Sequence, residues 1–310
     1  MPELPEVTTT VNGLQKVLPG LKVISVWTDL AKKNQTIKQF KNTIKDSNFF
    51  NKIKKYTIGE KIIKVERRAK NILIYISGGH IILIHLKMTG HLLFGKYVFD
   101  KKEKKWVPDK KERSALFDPY NRFIHVVFSF SNGKQLAFCD SRKFGKVTLI
   151  DIADLNKTLH LKNIGPEPLE KTFTFVKFKE RLLLKPNWNI KTVLMDQSII
   201  AGIGNIYSDE MLWMSDINPE SKPNKIPKIK LLKLYKSMKE VLMKGINFGG
   251  DSMSDYRNIE GLRGDFQKHH NVYQKKNTKC VKKNCHGVII RKVINGRSSH
   301  HCDTHQKLFN

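Results

Sequence analysis

Residues 61–86 read KIIKVERRAKNILIYISGGHIILIHL. The runs Lys61–Val65, Ile72–Ile76 and Ile81–Leu86 are short and rich in isoleucine, and Ser77-Gly78-Gly79 separates the last two. β-branched residues suit a pleated, half-buried surface, and a glycine pair marks a tight turn, so neighbouring strands should run antiparallel. The same pattern continues on both sides. Lys22–Trp27 precedes it; Ile124–Phe130, Gln135–Cys139 and Val147–Ile150 follow, with another turn signal at Ser131-Asn132-Gly133. Residues 21–151 therefore predict an antiparallel sandwich or barrel. The lysine-rich stretch Lys101–Arg113 interrupts it and is expected to be an exposed, mobile loop.

On either side of this block the spacing is helical. Residues 2–18 predict an amphipathic helix opened by Pro2 and Pro5 and stopped at Pro19-Gly20. After Gly165-Pro166, helices are expected at Phe173–Leu184, Tyr207–Met214 and Lys228–Lys244. The last carries Leu231, Leu234, Tyr235, Met238, Leu242 and Met243 as a core stripe. The polar, glycine-rich stretch Phe248–Gln267 reads as a loop. The fold class is α+β.

The chain has 57 Lys+Arg against 28 Asp+Glu, a formal charge of +29 over 310 residues. Such a balance favours polyanionic partners, nucleic acid before anionic membrane. Lysine greatly outnumbers arginine, however, and biased composition alone could produce the same excess. The N-terminus lacks the basic and apolar regions of a signal peptide, and no apolar run is long enough to span a bilayer. An intracellular protein is expected, cytoplasmic and nucleoid-associated if bacterial, nuclear if eukaryotic.

Cys280 and Cys285 are separated by four residues, Cys302 and His305 by two, and the stretch between the pairs suits a hairpin. Three thiolates and an imidazole meet the tetrahedral demand of one structural zinc ion, and so small an element can hardly fold without a staple. His286, His300 and His301 lie close by, which leaves the fourth ligand open. Asn295-Gly296 reads as the hairpin tip and presents Arg297.

Separated motifs now converge. MPELPEV at 1–7, RRAK at 67–70, HLKMTG at 85–90, DSRKFG at 140–145, IGPEPL at 164–169, LMDQ at 194–197, GIGNIY at 202–207 and GRSSH at 296–300 run in one order along the chain. Together they resemble the formamidopyrimidine-DNA glycosylase (Fpg/Nei) family, and PELPEV resembles its Fpg branch. The resemblance implies a catalytic β-sandwich domain with its leading helix over 2–151, a helix–two-turn–helix DNA-binding domain with a lid loop over 165–268, and a zinc finger over 271–310. It implies a monomer acting on double-stranded DNA that contains oxidised bases or abasic sites. The expected activity is excision of 8-oxoguanine and formamidopyrimidines, followed by β,δ-elimination.

By the same resemblance Pro2, Glu3, Lys70 and Arg297 are catalytic. Glu6, Met88, Arg142, Phe144, Lys191 and Asn205 are DNA-binding. The chemistry suits these types. An α-amine has a reference pKa roughly two and a half units below that of lysine, so a useful fraction is nucleophilic near neutrality. Proline is a secondary amine, so its condensation product with deoxyribose is an iminium that keeps its positive charge and draws electrons into elimination. Met1 must first be removed. Glu3 would protonate the opening sugar, and burial or Glu6 nearby would favour its acid form. Without the other motifs, acids and prolines here would describe only a well-formed helix start. Lys70, Lys191, Asn205 and Arg297 are expected to grip phosphates. Met88 and Phe144 would wedge into the gap left by the extruded base, with Arg142 bonding the orphaned cytosine.

Two departures from the family pattern stand out. The first cysteine gap is longer than usual, with His305 in place of the last cysteine. The family's Lys-His-Asp-His-Val segment appears as Arg122-Phe123-Ile124-His125-Val126, which removes a phosphate-contacting histidine. Alternative functions are excision of oxidised pyrimidines, as in the Nei branch, or damaged-DNA binding without catalysis.

Overall fold

The computed structural model describes residues 1–155 and 157–310, and only the backbone of Gln39. Its elements in chain order begin with α1 (Leu4–Val17), β1 (Val23–Thr28), α2 (Ser47–Thr57), β2 (Ile62–Arg68), β3 (Asn71–Ile76) and β4 (His80–His85). There follow β5 (His91–Gly95), β6 (Tyr97–Asp100), β7 (Lys105–Pro108), β8 (Ile124–Phe130), β9 (Gln135–Cys139) and β10 (Lys146–Asp151). The remaining elements are α3 (Phe175–Leu182), α4 (Ile190–Met195), α5 (Asn205–Ser215), α6 (Lys228–Asn247), β11 (Ile289–Ile294) and β12 (Arg297–Cys302).

The chain divides into two compact units, residues 1–162 with 248–265, and residues 163–247 with 266–310. The first contains two four-stranded antiparallel sheets, ordered β1-β8-β9-β5 and β10-β4-β3-β2. Strand alternation builds it. Ile72, Ile74, Ile76, Ile82, Ile84, Val147 and Leu149 from one sheet join Leu92, Phe94, Val126, Phe128, Leu136 and Phe138 from the other in one core. Helix α1 adds Val7, Val11 and Leu14 to that core. The opposite face of the first sheet carries Leu93, Val127, Ala137 and Cys139 in a smaller cluster. Cys139 is structural: burial pushes its thiol far up, and its Sγ–H donates to the Asn121 carbonyl at 3.1 Å.

Several expectations are corrected. The leading helix starts at Leu4 with Glu3 as its N-cap, so Pro2 lies outside it and Pro5 is the proline of the first turn. Residues 47–57 form α2, capped by Asp46, whose carboxylate accepts from Asn48 N and Phe49 N. The lysine-rich interruption supplies the turn and second strand of the β6–β7 hairpin rather than only a loop. Phe99 and Trp106 pack edge-on against each other and against Trp27, with centroids 5.6–6.3 Å apart, and this anchors the hairpin. By their contacts, residues 248–265 group with the sandwich. Ile259 enters the main core and its carbonyl accepts from Phe94 N at 2.7 Å.

In the second unit, α5 and α6 pack together beside α3 and α4, and β12 packs on α5. The β11–β12 hairpin turns at Asn295-Gly296, both with positive φ (45° and 73°), as a two-residue type I′ turn requires. No helix among the described residues is long and apolar enough to cross a membrane.

Candidate active site and metal centre

In the first unit the chain start is held by Glu6. One carboxylate oxygen accepts from Glu3 N at 2.7 Å, and the other accepts from Asp251 N at 2.7 Å. The Glu6 carbonyl also accepts from the Tyr256 hydroxyl at 3.0 Å. One side chain therefore fixes both the foot of α1 and the segment 248–265. Pro2, Glu3 and Glu6 are all buried, Glu3 to 2% exposure, whereas Met1 is 40% exposed.

Lys70 sits in the two-residue turn between β2 and β3, next to Ala69 in the left-handed region (φ 53°). It is only 5% exposed, unlike a solvated surface lysine.

Met88, Arg142 and Phe144 lie on two turns that a single aspartate ties together. Asp140 accepts from the Thr89 hydroxyl and from Arg142 N through one oxygen, and from Gly145 N at 2.6 Å through the other. Thr89 in turn accepts from Arg142 N at 3.2 Å. Phe144 is 48% exposed and the Arg142 guanidinium lies over its ring at 5.0 Å; Met88 is half-buried. Phe144 is therefore no core residue. Sequence reasoning quoted Asp140 within its motif but gave it no role. An acid before a turn rich in N–H groups is the signal that could have found it.

At the departure from the family pattern, the Arg122 guanidinium lies 4.9 Å over the Phe123 ring, and His125 Nδ1 bonds the Asp29 carboxylate at 2.9 Å.

In the second unit Lys191 is 1% exposed and donates to Asp209 Oδ1 and to the Ser298 carbonyl, both at 2.7 Å. The phosphate grip expected of Lys191 is corrected to an internal tie, because a buried ammonium this well paired is not offered to an external anion. Asp209 also accepts from the Ser299 hydroxyl at 3.0 Å and from His300 N at 2.9 Å. Glu210 beside it accepts from the backbone N–H groups of Asn271, Val272 and Tyr273. Neither acid was singled out in the sequence, where both look like ordinary helix residues. Asn205 opens α5, and its side-chain oxygen is buried with no partner. Arg297 is exposed at the hairpin turn, as expected.

Cys280, Cys285, Cys302 and His305 place their ligand atoms within 4.8 Å of one another. His305 offers Nδ1, 3.4 Å from Cys280 Sγ and 3.5 Å from Cys285 Sγ, while its Nε2 bonds the Trp213 carbonyl at 3.2 Å. That outer bond fixes the tautomer a metal needs. Backbone N–H groups point at the sulfurs, Gly287 N at Cys285 and Thr304 N at Cys302. A Cβ on Gly287 would fall 2.6 Å from Cys302 Sγ, so only glycine fits. His300 is instead bonded to Asp209. The donor set suits zinc, and His305 completes it.

The N-terminal domain model of formamidopyrimidine-DNA glycosylase matches residues 1–147, and that enzyme's H2TH domain model matches residues 164–257. A formamidopyrimidine-DNA glycosylase from Pelotomaculum thermopropionicum is 36% identical over 99% of this chain and 100% of its own. Two solved structures of Lactococcus lactis Fpg are each 30% identical with a TM-score of 0.80. One is a mutant in complex with Fapy-dG containing DNA, covering 99% of this chain and 100% of that one. The other is a complex with abasic-site DNA, covering 98% and 99%. The chain belongs to the formamidopyrimidine-DNA glycosylase family of DNA-repair glycosylases.

Proposed function

We propose that the chain excises oxidised purines and then cleaves the strand as a lyase, with Pro2 as nucleophile once Met1 is gone. The observation that carries this reading is the buried Pro2-Glu3 pair at the foot of α1, held by Glu6, beneath an exposed Met1. The Pro2 nitrogen attacks C1′ of the damaged nucleotide, the C1′–base bond breaks, and the base leaves with the electron pair and takes up the proton that the amine gives up. Glu3 protonates the ring oxygen as the sugar opens, and the secondary amine becomes an iminium. Loss of a C2′ proton then sends electrons to that nitrogen and expels the 3′ phosphate; a second elimination expels the 5′ phosphate. Lys70, buried on its turn, contributes positive charge beside the reacting sugar.

The clamp at Asp140 offers Phe144, Arg142 and Met88 as a unit to fill the space of an extruded base. In the second unit, the Asn205 amide at a helix N-terminus, its oxygen buried without a partner, suits a phosphate that its N–H group can meet. Arg297 offers a second phosphate contact. Zinc bound by Cys280, Cys285, Cys302 and His305 would fix the hairpin that carries Arg297 and take no part in the bond-breaking step.

Borohydride reduction during reaction with an 8-oxoguanine duplex tests the reading. The expected outcome is a covalent adduct on the peptide that begins at Pro2, with weaker trapping on thymine glycol. Excision without an adduct, or an adduct on a lysine, overturns it. Glu3→Gln should lose excision while retaining DNA binding.

A further inference from the structure

The sequence motifs used above leave a group of cations on the first unit unexplained. Lys45, Lys87 and Lys146, with Phe40, Thr43, Phe144 and Gly145, line a cavity of about 100 Å³. At roughly 30 Å³ per water-sized group it has room for about three such groups, enough for the free oxygens of a phosphodiester. The lysines arrive from three different elements. Lys45 precedes α2, Lys87 follows β4, and Lys146 opens β10 paired with His85. Among the described residues none of the three forms an ion pair.

Asp140 is, among the described residues, the one acid whose charge acts on Lys45, and both its oxygens accept bonds from Thr89, Arg142 and Gly145. Lys45 donates one N–H to the Lys143 carbonyl at 2.5 Å, which leaves two. The neighbouring histidines add no negative charge, and burial keeps both His85 and His160 in the neutral form near neutral pH. Lys146 Nζ lies 3.5 Å from His160 Nδ1, and Lys87 N donates to His85 Nδ1 at 3.0 Å. An adjoining cavity of about 380 Å³ shares Phe40, Lys45 and Phe144 and adds Lys32, Lys33, Arg142 and Lys143 to its walls. The small compartment is thereby continuous with the loop that carries Phe144.

We propose that Lys45, Lys87 and Lys146 form a binding site for one DNA phosphodiester beside the Arg142–Phe144 loop, separate from the contacts assigned to Lys70, Asn205 and Arg297. Three ammonium groups around one small cavity repel one another, and an anion between them removes that cost. Burial, opposed by Asp140 and reinforced by Lys146 and Lys87, holds Lys45 down at about 8, and burial with Lys87 lowers Lys146. A free phosphate ion has the same chemistry as the diester, so the experiment must separate the two. The site rests on the chain binding DNA, not on the nucleophile assigned above.

The test measures binding to a duplex with an uncleavable abasic analogue across a range of salt concentrations. The proteins compared are the wild type, Lys146→Met, Lys87→Met and the double variant, with thermal melting as a check of fold. Lys146→Met keeps the aliphatic stem, and Lys146→Arg should bind as wild type does. The double variant should flatten the plot of log affinity against log salt by about 0.9 for the one phosphate lost. Replacing single phosphates by methylphosphonates should reveal one position at which wild type and double variant become equal. An unchanged slope in a folded double variant overturns the site. So does inorganic phosphate binding to wild type, and not to the variant, with no methylphosphonate position coupled. Failure of borohydride trapping with these slopes intact would remove Pro2 from its role and leave this site standing.

Discussion

The two units hold their functional parts by different means. In the first, two sheets and α1 share a large apolar core, and the acids Glu6 and Asp140 only position what the core already supports. In the second, the hairpin with its cysteines rests on a cluster of Trp213, Val272, Cys280, Ile289 and Cys302. So little apolar surface cannot hold a hairpin, and buried charge and the metal ligands take over. Lys191 and Asp209 tie it to α4 and α5, and Glu210 holds the segment 271–273 that precedes it. Removing a polar group should therefore change geometry in the first unit and stability in the second.

The largest effect should come from the metal. Structural zinc in small fingers is worth about 10–16 kcal/mol of apparent folding free energy. Chelation, or Cys302→Ser, should release the hairpin, shift the fluorescence of Trp213 and weaken DNA binding, with the sandwich still folded by circular dichroism. A hairpin that keeps its amide protection without metal would break the comparison. Next comes Lys191→Ala, which leaves the buried Asp209 carboxylate without the ammonium that neutralises it. A loss of about 3–5 kcal/mol is expected for removing one partner of such a pair, read from denaturant melts. A loss below about 1 kcal/mol would show that Lys191 is no tie.

Asp140→Ala should cost less, about 1–3 kcal/mol for the backbone donors left without their acceptor. Its effect on excision should exceed its effect on melting, because the apolar core remains and only the two turns move. A proportionate loss of both would place Asp140 in the same class as Asp209. The shallowest effect, counted per pH unit, is a dependence on pH. Burial, with Lys87, Lys70, Lys146 and His160 adding to it, pulls His85 down to about 3 from an ordinary 6.5. Between those values the unfolded chain takes up a proton that the folded chain refuses. Stability contributed by neutral His85 is complete above pH 6.5 and is lost as pH falls toward 3. The slope is at most about 1.4 kcal/mol per pH unit. His85→Gln should flatten that slope, and an unchanged slope would remove His85 as its source.

Much of this could be read in the chain itself. All seven β runs named in the sequence became strands, since isoleucine and valine alternating between glycine turns leave few other choices. The cysteine–histidine spacing anticipated the ligand cluster, His305 included. Helix α2 was missed although Asp46 caps it, because lysines crowd the run and hide Phe49, Phe50 and Ile53. The strand β5 was hidden in a motif read for chemistry, and the β6–β7 hairpin depends on Trp27, far away in the chain. Lys191 illustrates the same limit at the site. A lysine in a helix shows its charge in the sequence but not its partner.

The sequence by itself determined which surfaces must be buried and which atoms can react, because side-chain chemistry and its period along the chain are local properties. It thereby specified the sandwich and the ligand set. Only the tertiary structure decided how charge is distributed. Asp140 became a clamp, Lys191 a tie, and Lys45, Lys87 and Lys146 three facing cations. Pairing and repulsion depend on distance and burial between residues far apart in the chain, and no spacing rule encodes those.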